Sequence, residues 1–118
     1  MDKYTIEVKK SKFIAISYEV HRKEEVITIL DNLKKEHKKA RHIPYAYKIG
    51  NIIKKSDDLE PSNTAGTPIY NLILQNNLDN ILIVVIRYYG GIKLGTGLLT
   101  RSYMRAAKGV IEKELNLH

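Results

Sequence analysis

The chain has no cysteine and no tryptophan, one phenylalanine, three prolines, and clearly fewer acids than bases. Without cysteine there is no disulfide framework, no thiol nucleophile and no thiolate metal site. No apolar run approaches the ~20 residues that a membrane-spanning helix requires. The opening Met1-Asp2-Lys3-Tyr4 lacks the apolar stretch of a secretory signal. These absences fit a cytoplasmic protein with no membrane association, and that is the expectation. Thirteen Asp+Glu against twenty Lys+Arg leave a net charge of +7. A balance this basic favours a polyanion or an acidic protein surface as partner. The competing reading is a solvated lysine-rich surface, so the placement of the cations has to decide.

What is present is ordinary for a folded domain: 43% hydrophobic and 28% charged residues in 118, enough for one core. Tyr4, Ile6 and Val8 alternate with polar residues. After a polar turn at Lys9–Lys12 the alternation resumes, with Ile14, Ile16, Tyr18 and Val20 on one face, which predicts an antiparallel pair. Val26, Ile27, Leu30, Leu33 and His37 recur at helical spacing, which predicts a helix over Lys23–Lys38 with acids first and lysines last. A dense basic run, including Lys38, Lys39, Arg41 and His42, follows its end. Tyr45, Tyr47 and Ile49 alternate up to a Gly50-Asn51 turn and a short return strand at Ile52-Ile53. Ser56–Pro68 has no apolar periodicity and is long for a connector, a length often associated with function. A helix then starts between Ser62 and Pro68, with Thr67 as cap and Pro68 at its first position as one sound choice.

Ile81–Ile86 is a continuous β-branched-rich run and the candidate central strand, covered on one face and partly on the other. Its six side chains would contribute on the order of 10 kcal/mol of burial before entropy. A last helix is expected over Leu98–Leu115, with Leu99, Tyr103, Ala106, Ala107, Val110 and Ile111 inward. The order β-β-α-β-β-α-β-α implies an α+β fold. The expectation is a two-layer sandwich, with helices covering a mixed four- to five-stranded sheet.

The central strand reaches the last helix through Arg87-Tyr88-Tyr89-Gly90-Gly91-Ile92-Lys93-Leu94-Gly95-Thr96-Gly97. Glycines permit close backbone approach, and bare amides at a helix start favour an anion. Arg87, Lys93, Arg101 and Arg105 surround them with positive charge. The spacing matches neither nucleotide fingerprint: Thr96 follows Gly95 where a P-loop needs lysine, and Thr100 stands where a dinucleotide loop needs glycine. A tight turn whose glycines serve packing alone is the competing account. Tyr88 and Tyr89 are adjacent, so on a strand end they face opposite ways and only one is free.

At this point the sequence resembles a known family. Asp58-Leu59-Glu60-Pro61-Ser62-Asn63-Thr64-Ala65-Gly66-Thr67-Pro68-Ile69 looks like the D-G-E-P-S-G-T-A-G-x-P-I block of the IMPACT/YigZ family. The Arg87–Leu98 stretch resembles its R-Y-F-G-G-I-K-L-G-T-G-G block. Lys10–Ala15 and Ala40–Tyr47 match further blocks, so the likeness covers nearly the whole chain in order. It implies a single IMPACT-type domain over 1–118, similar in fold to domain IV of elongation factor G and to ribonuclease PH. It also implies a role in translational control and the stress response, with RNA, the ribosome or a translation-regulatory protein as partner. The chain departs from the pattern at Leu59 and Asn63, where the family has glycine, and at Pro44, where it often has cysteine. Asn63 is an easy substitute in a left-handed conformation, whereas Leu59 hints at a different loop path. At this length the expectation is that the second, ferredoxin-like domain of two-domain bacterial members has no place here.

The expected function is therefore a non-catalytic binding module that uses a basic glycine-rich groove. The groove comprises Arg87, Tyr88, Gly90, Gly91, Lys93, Gly95, Thr96, Arg101 and Arg105. It is joined by a motif loop with Asp58, Glu60, Pro61, Ser62, Thr64 and Gly66. Lys38, Lys39, Arg41 and His42 form a secondary patch. No cofactor or metal is expected, and the oligomeric state is open. An enzyme, for instance a phosphate-substrate hydrolase, would recruit His42, Asp57, Asp58 and Glu60 with Ser62 or Thr64. Carboxylates at loop spacing are more commonly caps, turn formers or partners of Arg87 and Lys93. His21 and His37 flank a helix, and His118 is terminal.

Overall fold

The computed structural model describes residues 1–115, and His118 lies outside them. Strands and helices follow in the expected order: β1 (Asp2–Val8), β2 (Ser11–Glu19), α1 (Lys23–Glu36), β3 (Tyr45–Ile49), β4 (Ile52–Ser56), α2 (Gly66–Gln75), β5 (Ile81–Tyr88) and α3 (Gly95–Glu114). The β1–β2 turn is tighter than anticipated. Only Lys9 and Lys10 form it, with φ of 45° and 69°, and Val8 already faces Ser11 across the pair. Two left-handed residues in a two-residue connection match the twist of the strands they join.

The α+β class and the five strands are as expected, but two details of the architecture differ. The sheet is not mixed. Its order is β1-β2-β5-β3-β4, and every neighbouring pair is antiparallel. β2 and β3, joined through α1, do run parallel, but β5 inserts between them and pairs with both. A parallel crossover has thus been split by a later strand.

Nor is the fold two layers. Along β5, Ile81, Ile83 and Val85 face one side and Leu82, Val84 and Ile86 the other, and none is more than 4% exposed. A strand apolar on both faces needs cover on both. Helices α2 and α3 cover the first face, through Ile69, Ile73, Tyr103, Ala107 and Val110 among others. Helix α1 covers the second with Val26, Leu30 and Leu33. β2 behaves likewise, with Phe13 and Ala15 in the cluster under α3 and Ile16, flanked by Ile14 and Tyr18, in the cluster under α1.

Helix α1 begins as expected. The Glu25 carboxylate accepts the His21 and Arg22 amides at 2.9 and 3.0 Å, so its first turn is capped. It ends two residues early, at Glu36, where His37 caps it by donating its backbone N–H to the Leu33 carbonyl. Lys38 and Lys39 consequently lie in an exposed turn beyond the helix. Among the described residues no helix is long and apolar enough to cross a membrane.

Candidate functional site

The alternation that buries β5 also decides where Arg87 goes. It continues the Ile81, Ile83, Val85 face, so its side chain turns inward under α3 instead of outward. The residue is 6% exposed. Its charge is met by Glu60, whose carboxylate accepts Arg87 Nη1 at 3.0 and 2.7 Å. Tyr103 of α3 donates its hydroxyl to the same carboxylate. Burial, together with that hydrogen bond to an anion, pushes the Tyr103 phenol well above its usual range, so it remains a donor. The Arg87 guanidinium carbon lies 5.7 Å from both the Phe13 and Tyr89 ring centroids, and Nε is buried without a partner. Arg87 joins sheet, loop and helix, and it is not a free surface cation.

His42 completes the cluster. Its Nδ1 donates to the Asp58 carbonyl at 2.7 Å, which leaves Nε2 3.5 Å from Glu60 Oε1. The other loop carboxylates are also held by the chain. Asp58 accepts the Ile43 amide at 2.6 Å. Asp57 accepts the amides of Asn63, Ala65 and Gly66 at 2.9, 3.1 and 2.8 Å. Helix α2 is therefore capped by a side chain nine residues upstream and starts at Gly66, not at Pro68 behind a Thr67 cap. Asp57→Ala should lower stability by about 2 kcal/mol in chemical denaturation. Asp57→Asn, which keeps an acceptor, should lose less, and equal losses would deny the capping role.

The motif loop owes its path to left-handed residues at Asp58, Leu59 and Asn63, with φ of 44°, 69° and 65°. Leu59 thus adopts the conformation suited to a glycine, at a cost of roughly 1–2 kcal/mol. Its side chain is 92% exposed at the lip of the site. Thr64 is buried, its hydroxyl donating to the Pro61 carbonyl at 2.6 Å. Ser62 is exposed. Pro44 is buried, and its carbonyl accepts the Val85 amide at 3.0 Å.

Between this loop and the glycine-rich junction lies a cleft of about 410 Å³. Eight of the residues singled out from the sequence line it: Arg41, His42, Glu60, Pro61, Arg87, Lys93, Gly95 and Thr96, with Leu59, Tyr89, Leu94 and Leu99 between them. The two long motifs therefore share one concave surface. Arg41 lies over the Tyr89 ring at 4.4 Å and forms one wall. Of the adjacent tyrosines, Tyr89 faces this cleft while Tyr88 turns to the α1 side and pairs with His37 Nδ1 at 2.5 Å.

Other candidates lie elsewhere. Arg101 and Arg105 are exposed on α3 but do not line the cleft, and neither do Lys38 and Lys39. Gly90 serves packing, since a Cβ there would stand 2.1 Å from the Lys10 backbone. Gly66 is similarly tight, 2.9 Å from the backbone of Ser56. Gly91 and Gly95 have open space but φ of 92° and 75°. Among the described residues there is no group of three His, Asp or Glu placed to hold a metal. Sequence reasoning missed Asp57 as a cap and Tyr103 as the partner of Glu60. Tyr103 lay in plain view on the inward face of α3, but nothing local marked its hydroxyl as engaged.

Fold and site together define a small α+β domain with a three-layer antiparallel core and a basic cleft at the exit of its central strand. The chain belongs to the IMPACT family, whose Impact N-terminal domain matches residues 9–111. It is 38% identical to the IMPACT family member YvyE of Bacillus subtilis over 95% of this chain, which amounts to 56% of that protein. A hypothetical protein of known crystal structure superposes with a TM-score of 0.90 at 33% identity, over 94% of this chain and 56% of its own. The two-domain translational regulator Yih1 superposes with a TM-score of 0.55 at 25% identity, over 94% of this chain and 45% of its own. The chain thus spans about half the length of such relatives.

Proposed function

We propose that this domain is an RNA- or ribosome-associated module of translational regulation, acting in the cytoplasm, whose binding surface is the cleft between the two motifs. One observation carries the reading. Arg41 and Lys93, the exposed cations of the two basic segments, meet at a cleft whose only carboxylate among the lining residues, Glu60, is already neutralised by Arg87. The cleft therefore presents positive charge, to which the overall +7 adds, and a polyanion is the chemistry it suits. The similarity to Yih1, a translational regulator, supports the setting.

The test is single-stranded RNA binding measured as a function of salt for wild type and Arg41→Gln/Lys93→Gln. Both residues are exposed, so neutralising them spares the core. Affinity should fall about tenfold at low salt, and the slope of log K against log salt should flatten by about 1.4, at ~0.7 per lost contact. Unchanged affinity and slope would sink the proposal. Capture of a protein partner that survives nuclease but requires Lys93 would replace it with a docking role.

A further inference from the structure

Helix α3 starts three residues before its hydrophobic stripe suggested, so Gly95, Thr96 and Gly97 form its first turn. No side chain caps that turn and no acidic residue stands in it, although helix starts ordinarily attract both. The first amides of a helix have no partner within it. Gly97 adds to the anomaly. A Cβ there would meet only Arg101 Nη1 at 3.4 Å, so packing does not require glycine, and a mid-turn glycine costs the helix about 1 kcal/mol relative to alanine. The same cleft holds a second group without a complement. The Arg87 side chain, 8% exposed, lines the cleft and keeps Nε buried without a hydrogen bond. An unpaired buried donor is costly, roughly 1–3 kcal/mol.

We propose that the α3 end of the cleft is a subsite for a terminal phosphate, the monoester group at the end of an RNA chain, held by the first-turn amides with Lys93 and backed by Arg87. This rests on the RNA reading above and narrows it. The argument for an end over an internal phosphate is one of size and charge. A cleft of about 410 Å³ is at the small end of ligand pockets and holds about one nucleotide, not a run of them. A monoester brings a third free oxygen and a second negative charge. Both increase what several convergent donors can satisfy, while a diester leaves two oxygens and one charge.

The experiment compares short single-stranded RNA bearing a 5′-phosphate, a 3′-phosphate or hydroxyls at both ends, with inorganic phosphate and adenosine monophosphate as separate probes. Wild type should prefer one phosphorylated end about tenfold, as charge-assisted bonds allow. The amide resonances of Gly95–Gly97 should move as that RNA or the monophosphate is added. Thr96→Asp places a carboxylate on the same amides, a substitution that helix starts favour. It should fold at least as stably as wild type, which thermal unfolding checks, and should lose the end preference. Equal binding of all three RNAs, with RNA affinity intact, overturns the subsite and leaves the broader reading standing. Response of Gly95–Gly97 to the monophosphate without RNA binding does the reverse. A preference that survives in well-folded Thr96→Asp also overturns it.

Discussion

Arg87→Ala is expected to cost about 3–5 kcal/mol, because it strands a buried carboxylate. The Glu60 side chain is 2% exposed, and its charge is tolerated in the interior chiefly because Arg87 Nη1 and the Tyr103 hydroxyl both point at it. A single domain has about 5–15 kcal/mol of stability in total, so the loss would leave a marginal protein. Urea denaturation measures it as a lower midpoint at unchanged slope. Arg87→Lys should be intermediate, since an ammonium keeps the charge but not the planar guanidinium that lies 5.7 Å from both the Phe13 and Tyr89 ring centroids. Removing the whole network should restore most of the stability: Arg87→Met with Glu60→Leu and Tyr103→Phe leaves no charge or hydroxyl without a partner. If Arg87→Ala cost less than about 1 kcal/mol, the pair would have to be effectively solvated. The same reasoning disqualifies Arg87→Ala as a probe of binding, because lost affinity in that variant would report lost structure. Arg41 and Lys93 are the positions at which charge can be removed cleanly.

What the sequence made legible was everything governed by short-range period. The alternation of β2, the apolar run of β5 and the inward stripe of α3 were each readable over a few residues, and each lies where its pattern placed it. What was not legible depended on partners distant in the chain. β5 pairs with β2 and with β3, and the slot between those two strands is left by a crossover completed well before β5 is reached. Local pattern gives no hint of it, which is why the sheet was expected to be mixed. The layer count was closer to hand: six consecutive apolar residues call for cover on both faces, and a reading of partial cover undervalued the second.

The candidate site divides along the same line. Both motifs were visible as irregular segments, and their convergence on one cleft followed the expectation that they share a surface. The role of Arg87 was misjudged because a charge beside glycines reads as surface, even though the phase of β5 already turned it inward. Its partner Glu60 sits in a loop with no periodicity to reveal facing. Asp57 escaped for a similar reason. Capping rules look one to three residues ahead of a helix, whereas this cap acts across a loop folded back on itself by three left-handed residues.

Gly90→Ala should be the most damaging of the glycine substitutions in the junction, and it tests whether these glycines are there for packing or for a ligand. The added Cβ would lie 2.1 Å from both the carbonyl carbon and the oxygen of Lys10. The obstacle is backbone, so no side-chain rotation relieves it. Lys10 is itself fixed in the left-handed β1–β2 turn, and the neighbouring Ser11 hydroxyl accepts the Gly90 amide at 3.3 Å. The hairpin and the junction must move apart, which breaks that bond and loosens the exit of β5. The expected cost is about 3 kcal/mol or more, at the upper end for overpacking, seen as a fall in Tm of roughly 10 °C. Gly95→Ala sets the scale from the other side. Nothing lies within 4 Å of its added Cβ, and only the φ of 75° opposes it, so about 1 kcal/mol is expected. Gly97→Ala should be neutral or stabilising by up to about 1 kcal/mol, since the helix gains a better former. The expected order is therefore Gly90 worst, Gly95 mild and Gly97 favourable. Were Gly97→Ala as costly as Gly90→Ala, packing alone would account for the glycines, and the argument that bare amides await an anion would lose its footing.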